Sequence, residues 1–297
     1  MSELVLYRKY RPKRFVEFVG QEHVVKVLTS ALVGGRLAHA YLFCGPRGVG
    51  KTTIARILAK AANCENRKDG NFEPCNKCAA CQEINDGRSL DLIEIDAASN
   101  RGIDEIRELR EGIKFAPTRL KYKVFIIDEV HQLTKEAFNA LLKTLEEPPA
   151  HAIFILATTE IHKVPETIIS RCQRFDFHKL ILEKIIERLA RIAKVEGVKI
   201  TQPALEMIAA NADGAMRDAE SLLGQVMAME DKDITLEEVK ALLGATDISA
   251  AIEMVAYLIA NDAKGAICFI NKILNDGYDL EQFAKSLINY LRKVMIL

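Results

Sequence analysis

Apolar residues along the first part of the chain fall into short blocks separated by stretches of helical spacing. Tyr41-Leu42-Phe43-Cys44, Leu92-Ile93-Glu94-Ile95, Val124-Phe125-Ile126-Ile127 and Ile153-Phe154-Ile155-Leu156 are runs of strand length, apolar at almost every position. Such runs fit strands buried on both faces, because a half-exposed strand alternates. Between them the period lengthens to that of a helix. Ile54, Ile57, Leu58 and Ala61 share one side of 52–63, and Ile103, Ile106, Leu109, Arg110 and Ile113 are spaced by three and four in 103–113. A further helix is predicted at 135–145. Strand and helix in alternation predict an α/β fold, a parallel sheet covered on both faces.

After Phe177 no strand-like run of comparable quality recurs. Helical spacing predicts helices at 183–196, 203–212, 216–230 and 236–243, a second and all-helical domain. Glu237 and Glu238 open the last of these at the end where the helix dipole favours negative charge. From Ala245 a third helical stretch begins, with helices at 248–260, 263–275 and 280–297; the pattern carries no final cap and reads as cut short. The expected boundaries are 1–178, 179–243 and 244–297, in keeping with the two or three domains natural for 297 residues.

Composition adds mainly exclusions. Hydrophobic residues make up 49% and charged ones 28%, which describes a globular chain and not a disordered one. Lys plus Arg and Asp plus Glu are 41 each, so no global field draws this chain to nucleic acid, and any such contact needs a local patch. No apolar run approaches a membrane span, and the N-terminus lacks the apolar core of a signal peptide. A cytoplasmic location is the expectation, where cysteines serve as thiols or metal ligands more often than as disulfides.

The chemistry begins at Gly45-Pro46-Arg47-Gly48-Val49-Gly50-Lys51-Thr52, followed by Thr53. Glycines let the backbone turn its amides to phosphate oxygens, Lys51 supplies charge for the terminal phosphates, and Thr52 offers a hydroxyl to Mg²⁺. The loop follows a predicted strand and opens a predicted helix, the context this motif requires. Asp128 and Glu129 end the third strand, Asp128 placed for the Mg²⁺ shell and Glu129 to polarise water. Asp128-Glu129-Val130-His131 has the outline of a helicase DExH box, but no other helicase motif follows it. Cys64, Cys75, Cys78 and Cys81 form a C-x10-C-x2-C-x2-C insertion at 64–81, four sulfurs able to close a tetrahedral structural metal site. Redox thiols or an iron–sulfur cluster are the alternatives. Cys44, Cys172 and Cys268 are expected to stay free thiols.

Together these residues resemble AAA+ ATPases of the clamp-loader family, and within it the gamma/tau branch of the bacterial DNA polymerase III loader. The likeness runs over essentially the whole chain. It is carried by Tyr10-Arg11-Pro12, Val19-Gly20-Gln21-Glu22-His23, the loop at 45–52, the segment 93–99, Ile127-Asp128-Glu129-Val130-His131, the segment 139–149 and Ser170-Arg171-Cys172. The resemblance implies a five-stranded parallel sheet in a P-loop AAA+ module, a small helical lid and the start of a helical collar. It implies ATP as ligand, hydrolysed to open and load a sliding clamp on primed DNA, and zinc at the four cysteines. It implies Arg171 as a finger reaching a neighbour's nucleotide, Thr159 as sensor of the terminal phosphate with Thr158 as rival, and Arg217 as a second sensor. Tyr10, Pro12 and Val19 are expected near the adenine, and Arg101, Lys143 and Lys163 toward DNA. The implied partners are the delta and delta prime subunits and further gamma/tau copies in a hetero-oligomeric ring, the clamp, and primed DNA. No set of aspartates beyond Asp128 suits nucleotidyl transfer, so a polymerase activity would belong to the complex and not to this chain.

Overall fold

The computed structural model describes residues 5–68, 70–228, 233–243, 248–275 and 280–296. The expected helix end at Glu230, the start of the third stretch at Ala245 and the terminal Leu297 lie outside the described residues. The chain divides into two compact units, one of residues 1–192 with 209–224, the other of 193–208 with 225–297.

In the first unit the elements run α1 (Leu6–Lys9), α2 (Glu22–Val33), β1 (Ala40–Cys44), α3 (Lys51–Ala62), α4 (Ala79–Asn85), β2 (Leu92–Asp96) and α5 (Ile103–Ile113). They continue with β3 (Lys123–Asp128), α6 (Lys135–Glu146), β4 (Ala152–Thr158), α7 (Glu166–Ile169), β5 (Gln173–Asp176) and the start of α8 (Leu182–Glu196). Five strands form one parallel sheet in the order β2-β3-β4-β1-β5. The unbroken apolar runs are explained by what covers each face. Tyr41, Phe43, Val124, Ile126, Ile153 and Ile155 pack with Val24 and Leu28 of α2 and Ile54, Ile57 and Leu58 of α3. Leu42, Phe125, Ile127, Phe154 and Leu156 pack on the other side with Ile106 and Leu109 of α5 and Phe138 and Leu141 of α6. Val24 and Leu28 are thereby core residues.

The hydrophobic pattern names four strands of this sheet, and it has the five that the resemblance implies. Gln173, Arg174 and Asp176 of β5 are exposed and only Phe175 is buried, so this edge strand leaves no apolar run to find. The register of β1 with β4 pairs Cys44 with Thr158, and the Gly45 amide donates to the Thr158 carbonyl (3.1 Å). The carboxyl ends of β1, β3 and β4 therefore emerge side by side, where ligands of open α/β sheets bind.

The first unit also holds the end of α9 (Gln202–Asn211) and most of α10 (Met216–Met227). In the second unit the expectation of helices alone needs one correction. A two-residue parallel pair, β6 (Lys199–Ile200) with β7 (Asp233–Ile234), is too short to leave a period in the sequence. Its helix α11 (Leu236–Leu243) starts with a reciprocal cap: the Thr235 amide donates to Glu238 Oε2 and the Glu238 amide to Thr235 Oγ1. Helices α12 (Ile248–Ile259), α13 (Ala263–Asn275) and α14 (Leu280–Ile296) close around Met254, Phe269, Ile273 and Phe283.

Candidate nucleotide site and cysteine cluster

The glycine-rich loop folds as its residues demand. Gly50 has φ 101° and stands at the N-terminus of α3, where the Phe18 ring fills the space a Cβ would need. Gly45, at φ 148°, is pressed in the same way against the Phe177 backbone. The loop opens onto a cavity of about 450 Å³ to which Arg47, Gly48, Val49, Gly50, Lys51, Thr52 and Thr53 all contribute. Gly45 and Pro46 lie behind them, their carbonyls accepting from Lys51 Nζ at 2.7 and 2.8 Å. Lys51 is 5% exposed; burial lowers its pKa, and Glu129 and Asp128 act in the opposite sense.

Asp128 and Glu129 line the same cavity. Thr52 Oγ1 donates to Asp128 Oδ2 at 2.7 Å, joining the first turn of α3 to the end of β3. Glu129 sits at φ 47°, a left-handed backbone that turns its side chain toward β4. There the Thr159 hydroxyl donates to Glu129 Oε2 (2.9 Å) and the Thr159 amide to the same oxygen (3.3 Å). Thr158, fully buried, is engaged elsewhere, its hydroxyl 3.0 Å from His131 Nδ1 and accepting from the Glu160 amide. Of the two threonines, Thr159 is the one hydrogen-bonded to the carboxylate.

Pro12 and Val19 line the cavity, as do Tyr7, Arg11 and Phe18, which the sequence reading did not assign to it. Tyr10 does not line it: its carbonyl is turned to Arg188 Nη2 at 2.5 Å. Tyr7 takes the aromatic place instead, three residues earlier, with the Arg217 guanidinium 4.8 Å from its ring centroid. Arg217 lines the cavity too, and its amide donates to the Gly48 carbonyl. Glu220, 5% exposed and 3.5 Å from Arg188, was also missed. Burial raises its pKa to about 7, against the pull of Arg188. Nothing in a helix of ordinary spacing singles it out.

Arg171 stands away from this cavity, its guanidinium bound to Glu146 Oε1 (2.6 Å) and the Thr167 carbonyl (2.7 Å). Asp176 pairs with Arg174. Lys163 pairs with Glu160 at 2.7 Å, Arg101 Nε donates to the Ala98 carbonyl, and Lys143 is exposed on α6.

The four cysteines of the insertion converge, with sulfurs all within 4.8 Å of one another. The knuckle Cys75-Asn76-Lys77-Cys78 turns through Asn76 at φ 56°, and the amides of Lys77 and Cys78 donate to Cys75 Sγ at 3.4 and 3.3 Å. The Cys75 amide donates to Cys64 Sγ. Burial alone would raise the Cys75 thiol, but those amides outweigh it and bring it down to about 6. Burial raises the Cys64 and Cys81 thiols, but four soft sulfurs gathered this closely are of the size and kind that fit zinc. Cys44 and Cys172 are free, and burial holds their thiols up at about 11 and about 12.

The insertion also grips the N-terminal strap. Glu73, 9% exposed, accepts from the amides of Phe15 (3.0 Å) and Val16 (2.8 Å), and Asn76 Nδ2 donates to the Lys13 carbonyl. The strap it fixes carries Pro12, Phe18 and Val19 to the cavity.

The fold and the site define the class: a phosphate-loop nucleotide-binding module of the AAA+ type. Structures of the Thermotoga maritima RuvB Holliday junction branch migration motor share the fold, with TM-score 0.60 at 22% identity over 84% of this chain and 79% of that one. A T158V form of the same protein matches over 96% and 91%. The family is settled by closer relatives. A family model described as DNA polymerase III, delta subunit, matches residues 20–181, the clamp loader subunit ATPase lid domain matches 184–232, and domain III of subunits gamma and tau matches 234–297. DNA polymerase III subunit tau of Bacillus subtilis is 49% identical over 100% of this chain and 52% of its own length. The Escherichia coli subunit tau is 43% identical over 99% and 45%, and subunit gamma of Buchnera aphidicola (strain Sg) 42% over 100% and 81%. The chain belongs to the gamma/tau family of DNA polymerase III clamp-loader subunits. It spans about half the length of the tau relatives it matches.

Replacing Glu73 by Gln removes one acceptor from the two strap amides. Loss of one such bond, about 1 kcal/mol, should weaken nucleotide binding about fivefold in a fluorescent-nucleotide titration. Unchanged affinity would mean that the strap is held by other contacts. Glu220 gives a pH signature. Its folded pKa of about 7 lies above the ordinary glutamate value, so between the two the native state binds the extra proton and this group's contribution to stability falls as pH rises. Thermal melts of Glu220→Gln should gain on the parent from pH 5 to pH 7.5 and run parallel above it.

Proposed function

We propose that this chain binds ATP with Mg²⁺ and hydrolyses it as the motor of a clamp loader, opening a sliding clamp and releasing it on primed DNA. The observation that carries this reading is the bonded series Thr52–Asp128 and Glu129–Thr159 facing the cavity that the loop and Arg217 also line. It brings hard oxygen donors for a divalent ion beside a carboxylate free of any lysine or arginine partner among the described residues.

Lys51 exchanges the carbonyls of Gly45 and Pro46 for phosphate oxygens, and the amides of 47–52 cradle the rest. Thr52 and Asp128 are the residues that would hold Mg²⁺, which would supply positive charge against the charge developing on the phosphates. Glu129 orients and deprotonates the attacking water. Thr159 restrains that carboxylate and is placed to exchange it for the terminal phosphate, so the base is released only when a triphosphate is present. Arg217 covers the nucleotide from the side of Tyr7. Arg171 acts in trans: leaving Glu146, it would reach the site of an adjacent subunit and supply permanent, planar positive charge.

The reading comprises an AAA+ domain at 1–178, a lid at 179–243 and collar helices at 244–297, which the order of the matching family models supports. Cys64, Cys75, Cys78 and Cys81 hold zinc in a closed, structural site. Delta, delta prime and further gamma/tau copies complete the ring, with Arg101, Lys143 and Lys163 toward DNA phosphates. Among the described residues no helix is long and apolar enough to cross a membrane, and the proposed work is cytoplasmic.

Glu129→Gln should lower ATP turnover by about 100-fold or more while nucleotide affinity changes little, measured with partner subunits, clamp and primed DNA present. Equal turnover in that variant would remove Glu129 from the mechanism. Elemental analysis should find about one zinc per chain, lost in Cys78→Ser, with a lower melting temperature and the phosphate loop still competent for ATP. A metal-free parent of full stability would refute the zinc assignment.

A further inference from the structure

A second cavity, about 570 Å³ in volume, lies against the far part of α3, bounded by the N-terminal strap and the end of α4. Its charge is one-sided. Arg8, Arg11, Lys13, Arg56, Lys60 and Arg217 line it, and the one acidic lining residue, Asp86, is engaged by Arg88 at 2.6 Å. Arg56 has its own carboxylate in Glu94. Lys60, at 3% exposure, has not: its ammonium donates to Asn85 Oδ1 (2.6 Å), a neutral amide. Among the described residues Arg11 and Arg217 are likewise without a carboxylate within ion-pair distance. An ammonium with so little access to water is costly unless it is paired, and among the described residues no carboxylate stands within ion-pair distance of it, Cys81, Glu17 and Glu73 acting on it only from further off.

We propose that this cavity is a second anion site, which takes a compact phosphoryl anion of the pyrophosphate type beside the nucleotide cavity. Depth argues for a small ligand, because the least exposed cation, Lys60, is one that only a compact anion can reach. Two exposed cations at the rim, Arg8 and Lys13, would close on the remaining oxygens by charge-assisted bonds. Burial, and then the neighbouring Arg56, lower the pKa of Arg11, a strain that a bound anion relieves. Arg11 and Arg217 line both cavities, so the two sites share walls. This assignment leans on the nucleotide reading only for the identity of its neighbour.

The test is calorimetric titration of inorganic pyrophosphate into the protein with the first cavity filled by a non-hydrolysable ATP analogue, and separately into Lys51→Ala without nucleotide. Saturable binding of about one equivalent is expected in both, weakened about tenfold or more by Lys60→Met and about threefold by Lys13→Gln, the second being an exposed change that cannot unfold the chain. Displacement of pyrophosphate by the analogue, or loss of binding in Lys51→Ala, would assign the anion to the phosphate loop and overturn the proposal. So would equal affinity in the two lysine variants, or binding of a short oligothymidylate but not of pyrophosphate. Failure of the analogue itself to bind would count against the nucleotide reading alone, since the Lys51→Ala titration still decides this one.

Discussion

Much of this protein depends on the parallel register that sets the carboxyl ends of β1, β3 and β4 next to one another. Cys44 opposite Thr158, and Gly45 bonded to the Thr158 carbonyl, fix the phosphate loop against the end of β4. Asp128 then falls within 2.7 Å of the Thr52 hydroxyl although 76 residues separate them. A slip of one residue in any of these pairs would reverse the face of every side chain on the strand, so the two apolar layers that bury the sheet also hold the site in alignment. Stability and geometry are here the same constraint.

Around that frame, the polar contacts work by holding groups back. Lys51 is bound to carbonyls of its own loop, Glu129 to Thr159, Arg171 to Glu146. In the proposed mechanism each partner is one that a triphosphate or a neighbouring subunit would replace, through bonds that fix a rotamer without being strong enough to prevent exchange. A site of this kind stays ordered before its ligand arrives and needs little rearrangement afterwards.

The sheet, the loop and the acidic pair were legible because their signals are local: unbroken apolar runs, glycines at a fixed spacing, carboxylates directly after a strand. Four cysteines at close intervals were equally plain. What escaped had no local signal. Phe175 alone is buried in β5, so an edge strand hides among polar residues, and β6 with β7 spans two residues each. Tyr10 was favoured for the cavity because it belongs to a recognisable tripeptide, whereas a short helix at Leu6–Lys9 brings Tyr7 there instead. Glu73, Glu220 and Lys60 are ordinary polar residues in sequence; only burial gives them meaning, and burial is settled by distant partners.

The grip of Glu73 on the strap has a consequence for how such chains can change. The amides of Phe15 and Val16 are satisfied by a carboxylate that belongs to the cysteine insertion. A lineage that shed the insertion would strand the buried Phe15 amide, so the deletion is tolerable only together with a new acceptor or a rebuilt N-terminus. The four cysteines are thus inherited as one half of a pair, and their persistence in a descendant is tied to residues that never touch a metal.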